Sequence, residues 1–135
     1  MKQKVSNTKK IKKIKEFLDS QKKIAFAYLY GSFINSKNFR DIDIAVYLKD
    51  KVSFKFIVDL KVKLSKTLNL PCDIFDIRIL NGILKNPDAF SLLFLERLFK
   101  EGRLIVNNDF KVLGDFLEKY SNRYREAQAF LKEVK

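Results

Sequence analysis

The stretch Tyr28-Leu29-Tyr30-Gly31-Ser32, followed at Asp41 by Asp41-Ile42-Asp43-Ile44-Ala45-Val46, decides how this chain is read. The run Ile24–Tyr30 is almost wholly apolar and stops at a Gly-Ser pair, which predicts a buried strand ended by a turn. Residues 33–40 form a polar connection carrying Asn35, Ser36, Lys37 and Asn38. A second strand is then expected over Asp41–Leu48. Alternation along that strand puts Asp41, Asp43 and Ala45 on one face and Ile42, Ile44 and Val46 on the other. Two acids on one face of an otherwise apolar strand call for a chemical reason.

Carboxylates two residues apart on a strand lie roughly 6.5–7 Å apart along the chain and point the same way. Ionised groups that close repel, and a divalent cation removes the repulsion. Mg²⁺ takes one or two carboxylates together with phosphate oxygens and water, which suits a nucleotide-dependent site. A third carboxylate from a neighbouring strand allows two metals, one activating a nucleophile and one holding the leaving group. Gly31 lets backbone approach a phosphate closely, and Ser32 offers both an N–H and a hydroxyl. The competing explanation is a polar edge strand whose acids pair with nearby lysines.

Outward from this centre the chain alternates helices and short strands. A first helix is expected over about residues 8–20, with Ile11, Ile14, Phe17 and Leu18 at helical spacing and Thr8 as a candidate N-cap. A helix is expected over about 53–68, then a third strand over Cys72–Ile79 after Pro71. Another helix follows over 88–100, closed by Gly102. Arg103–Val106 adds a strand, and residues 110–133 form one long helix or two shorter ones. The pattern predicts an α/β-type (α+β) layered domain, a small mixed sheet with helices packed on it, as one domain over residues 1–135. If the first two strands run antiparallel, the Gly-Ser turn and the Asp pair meet at one end of the sheet.

Composition narrows the chemistry. The chain has 135 residues, no histidine and one cysteine, Cys72. Histidine bases, histidine metal ligands, the Ser-His-Asp triad and an internal disulfide are thereby excluded. Cys72 reads as a buried small hydrophobe, and Tyr28, Tyr30 and Tyr47 read as strand or core residues. The net charge is +12, and nine lysines stand against Glu16 and Asp19 within residues 1–23. That run suits either a solvated helix face or a polyanion contact, and the solvated face is preferred. No apolar run reaches the roughly 20 residues that span a bilayer, so a cytoplasmic location is expected.

The Tyr28–Ser32 and Asp41–Val46 segments resemble the signature of the DNA polymerase β-like nucleotidyltransferase superfamily. More narrowly the chain is similar to the minimal nucleotidyltransferases, the MNT proteins that pair with HEPN-domain partners. The likeness extends over Cys72-Asp73-Ile74-Phe75-Asp76 and over Phe94-Leu95 to Glu101-Gly102-Arg103-Leu104-Ile105. It implies the nucleotidyltransferase fold, ATP as substrate and Mg²⁺ (two ions) as cofactor. It also implies antitoxin action, by transfer of AMP to a tyrosine hydroxyl of a HEPN toxin within a hetero-oligomer. By position, Gly31 and Ser32 match the phosphate-contacting turn, Asp41 and Asp43 the metal pair, and Asp73 the third carboxylate. Asp76 is the rival for that last role, because it falls on the opposite strand face from Asp73 and only one can face the pair. Phe33 stands where many relatives carry Arg, and Arg40 where many carry a small residue. Arg40 or Lys37 is placed to supply the missing positive charge to a nucleotide, unless both are solvent-facing loop residues. The alternatives are an antitoxin that neutralises by binding alone, or transfer to RNA or to a small molecule.

Overall fold

The computed structural model describes residues 2–51 and 53–134. Helix α1 (Lys2–Asp19) leads into β1 (Ile24–Tyr30), a 3-10 turn (Ser32–Ile34) and β2 (Ile42–Leu48). Then come α2 (Phe54–Leu68), a second 3-10 turn (Cys72–Ile74), β3 (Phe75–Ile79), α3 (Ala89–Glu101), β4 (Arg103–Asn107) and α4 (Phe110–Val134). The architecture is α+β, as the alternation predicts. Two boundaries differ from expectation. The first helix begins well before Thr8, which lies inside it, and the third strand starts at Phe75 instead of Cys72. The C-terminal helix is a single long element, one of the two forms expected.

The sheet has the order β3-β2-β1-β4. β1 is antiparallel to both β2 and β4, and β2 is parallel to β3. The sheet is mixed because β1 and β2 are joined by a short connection, whereas β2 reaches β3 through the α2 crossover. Each face is covered. On one face Ile42, Ile44 and Val46 pack with Ile14 and Leu18 of α1 and Leu60 and Leu64 of α2. On the other, Phe26, Tyr28 and Ala45 pack with Leu92, Leu95 and Leu98 of α3 and Leu113 and Phe116 of α4. The helix α2 presents Ile57, Leu60, Leu64 and Leu68 at three- and four-residue spacing, and it ends at Asn69 in the left-handed region, φ 56°. No helix among the described residues is long and apolar enough to cross a membrane.

One contact ties α1 to the turn after β1. Asn7 is buried, at 5% exposure, and its side-chain amide donates to the Phe33 carbonyl at 2.9 Å and the Ser36 carbonyl at 2.5 Å. Phe33 itself is fully buried, and its ring meets Phe39 edge-on at 4.7 Å. Phe33 therefore anchors the turn from below and does not face solvent where a phosphate would lie. Cys72 is exposed, with its Sγ 3.9 Å from the Lys61 carbonyl, because the 3-10 turn lifts it off the sheet.

Candidate active site

The antiparallel register sets Tyr30 opposite Asp43, so the end of β1 lies against the start of β2. Gly31 follows with φ 82° and ψ −168°, a conformation open essentially to glycine alone. A second reason for glycine is spatial. A Cβ on Gly31 would overlap Asp43 Oδ2 and stand 3.3 Å from Asp43 Cγ. The Asp43 carboxylate thus rests directly on the Gly31 backbone, and the Gly-Ser turn and the acidic strand form one structure. Ser32 opens the 3-10 turn, where it is exposed. Its carbonyl accepts the amides of Asn35 and Ser36 at 3.1 and 2.9 Å.

The parallel register of β2 and β3 pairs Asp43 with Asp76. Burial pushes the Asp43 carboxyl up to about 6, and the neighbouring charges of Asp76 and Asp41 and a hydrogen bond with Asp76 push it in the same direction. Asp41, Asp43 and Asp76 are therefore the acids brought together. Asp73 is not among them. It is exposed in the 3-10 turn before β3 and is not among the groups that act on Asp43. The resemblance assigns the third carboxylate to Asp73, whereas the register places Asp76 beside Asp43 and leaves Asp73 in the 3-10 turn before β3.

Two further residues border the acids. Tyr30 is pushed up to about 12 by burial and by the charges of Asp43 and Asp76, with Arg78 opposing. Its ring meets Phe94 of α3 edge-on at 5.4 Å. Arg78 shares the Asp76 face of β3 and lies opposite Ala45, and its guanidinium stacks over the Phe94 ring at 3.9 Å. Among the described residues Arg78 forms no ion pair, and its charge acts on Tyr30 and on Asp88. Sequence reasoning passed over Arg78. Arg40, by contrast, is exposed on the connection before β2 and also forms no ion pair among the described residues.

Among the described residues no three His, Cys, Asp or Glu side chains already stand grouped as a cation cage. The donor chemistry nonetheless suits Mg²⁺, which completes its shell with substrate phosphate and water around one or two carboxylates. Burial first, and the charges of Asp76 and Asp41 second, make an ionised Asp43 costly, and a bound cation relieves that cost. A sign follows for stability. A carboxyl whose folded value lies above its unfolded one is destabilising when ionised. That penalty is complete above about pH 6 and is lost as pH falls toward 4. In EDTA at neutral pH, Asp43→Asn should melt above the unsubstituted protein, with the gap closing as pH falls from 6 to 4. Mg²⁺ should raise the melting temperature of the unsubstituted protein and leave that of Asp43→Asn nearly unmoved. Differential scanning fluorimetry checks both, and a variant that melts lower in EDTA would contradict the cost of ionising Asp43.

A family model described as polymerase beta, nucleotidyltransferase matches residues 12–111. A search of curated proteins finds no match to the chain. Among solved structures, a toxin–antitoxin crystallised with AMP-PNP aligns with a TM-score of 0.61 at 23% identity, covering 92% of this chain and 94% of that one. A tri-AMPylated Shewanella oneidensis HEPN toxin in complex with its MNT antitoxin aligns at 0.57 and 22%, covering 98% and 94%. The toxin–antitoxin MntA–HepT aligns at 0.55 and 22%, covering 95% and 92%. At these identities the likeness is one of fold.

Proposed function

Because this chain belongs to the polymerase beta nucleotidyltransferase family, we propose that it transfers AMP from ATP to a tyrosine hydroxyl of a separate HEPN-type toxin and thereby acts as its antitoxin. The observation that carries this reading is the seating of Asp43 on the Gly31 backbone beside Asp76, which joins a phosphate-type turn to paired acids. The similar fold seen in an AMPylated toxin complex supplies the acceptor class.

Asp41, Asp43 and Asp76 are the residues that would hold Mg²⁺, which when bound neutralises triphosphate charge and lowers the cost of ionising an acceptor hydroxyl. The chain's own groups divide the remaining work. Gly31, lacking a side chain, lets the Asp43 carboxylate sit against the turn, and Ser32 presents its hydroxyl to the triphosphate from the exposed start of the turn. Arg78, braced on Phe94, faces the developing charge on the transferred phosphoryl group. Asp76 accepts the proton as the tyrosine oxygen bonds to the α-phosphorus and the bond to pyrophosphate breaks. The acids are half-buried or exposed rather than enclosed, so the acceptor brings its own surface to complete the site.

Intact-mass spectrometry of a co-expressed HEPN-type toxin tests the proposal. One or more AMP masses should appear on the toxin with the unsubstituted protein and none with Asp41→Ala/Asp43→Ala. Equal neutralisation by the double variant, with no added mass, would replace the enzyme with an antitoxin that works by binding alone.

A further inference from the structure

A second opening lies at the other end of the same sheet face. A cavity of about 420 Å³ is formed where the end of β2, the segment after β3 and the start of α4 meet. Its size falls within the range of small-molecule sites, about 300–1,000 Å³. Tyr47 stands four residues beyond Asp43 on β2, about 13 Å along the strand. Between them Ala45 is fully buried, in the cluster that includes Leu92, Leu95 and Leu98 of α3, so the face is closed core there and the cavity is not an arm of the acidic site.

Three features of the cavity point to one class of ligand. The first is a stiff aromatic wall. The Tyr47 and Phe116 rings meet at 5.4 Å, and Phe26 stacks behind Tyr47 at 5.1 Å and 13°. The second is unbalanced charge. Lys49, Lys85 and Lys119 line the opening, and none forms an ion pair among the described residues. Of the two acids in the lining, Asp115 pairs with Lys111 at 3.1 Å, and Asp109, which accepts the Val112 amide at 3.2 Å, keeps its charge, so lysines outnumber the unpaired acid three to one. The third is a fixed edge. Asn81 accepts the Leu48 amide and donates to the Leu48 carbonyl, both at 2.8 Å, so the rim is in place without a ligand.

We propose that this cavity is a second ligand site, separate from the acids, that takes a mononucleotide. Its ring packs on the Tyr47–Phe116 wall and its phosphate dianion sits among the three lysines. A purely apolar ligand leaves the lysines uncompensated, and inorganic phosphate leaves the aromatic wall unused. An adjoining hollow carries Lys51 and Ile79 together with Asp50, and an RNA strand running from one to the other is the competing occupant.

The test is AMP titrated by calorimetry into the full chain in EDTA, in the Asp43→Asn background that disables the acidic site. AMP should bind there, and Lys85→Ala/Lys119→Ala should weaken binding by at least about tenfold with the melting temperature unchanged. Both lysines are exposed, so their removal spares the core. Adenosine and inorganic phosphate should each bind more weakly than AMP. Absence of AMP binding overturns the proposal. So does dependence on Asp43, or indifference to the two lysines. A short oligoadenylate that binds where AMP does not would give the cavity to RNA instead.

Discussion

Asp76→Asn should lower AMP transfer by roughly a thousandfold, the middle of what a positioned general base supplies. Asp73→Asn should leave transfer within a fewfold of the unsubstituted rate. The contrast follows from register. Asp76 is paired with Asp43 across β2 and β3, whereas Asp73 is carried by the exposed 3-10 turn before β3. Both variants should fold, since neither side chain is buried. Single-turnover transfer to the toxin, followed by mass, separates the two. A silent Asp76→Asn together with a dead Asp73→Asn would return the third carboxylate to Asp73.

Gly31→Ala should be nearly as damaging by a different route. The substitution imposes the strain of a glycine-only conformation, about 1–3 kcal/mol, and drives a methyl group into the Asp43 carboxylate. Displacing a reacting group by an ångström can cost about a hundredfold in rate, so transfer should fall at least that far. Gly82→Ala is the matched control. Gly82 also has a positive φ, 81°, but a Cβ there meets nothing. It should lose stability and keep transfer. Equal loss of transfer in both variants would mean that strain, and not the Asp43 contact, is responsible.

Much of the centre of this molecule is written in local patterns. The apolar run before Gly31 and the alternation from Asp41 to Val46 are each short enough to read directly, and the pairing of β1 with β2 brings them to one end of the sheet. The third carboxylate is harder because two acids three residues apart compete, and the resemblance points to one while the strand's parity points to the other. A usable signal was present. Phe75, Ile77 and Ile79 share one parity and register with Ile42, Ile44 and Val46 in a parallel pair. The apolar sides must face the same core, which leaves Asp76 and Arg78 on the side of Asp43. Asp73 shares the parity of the apolar residues. Arg78 carries no such local mark. Its place depends on Phe94, sixteen positions on, arriving with α3. Phe33, which stands where many relatives carry Arg, is core, and only the packing under the turn reveals that. The lysines of α1 gave no hint that Asn7 among them points inward.

That inward asparagine bears on where the working unit of this protein begins. The family match starts at residue 12, and a boundary drawn there keeps Ile14 and Leu18 in the core. It discards Asn7, and with it the two hydrogen bonds that moor the segment from Phe33 to Ser36. A chain trimmed to the shared span would thus retain its acids and its sheet, and the turn after β1 would be held by the packing of Phe33, Ile34 and Phe39 without those two hydrogen bonds. The packing that holds this turn extends to an amide five residues upstream of the recognisable homology.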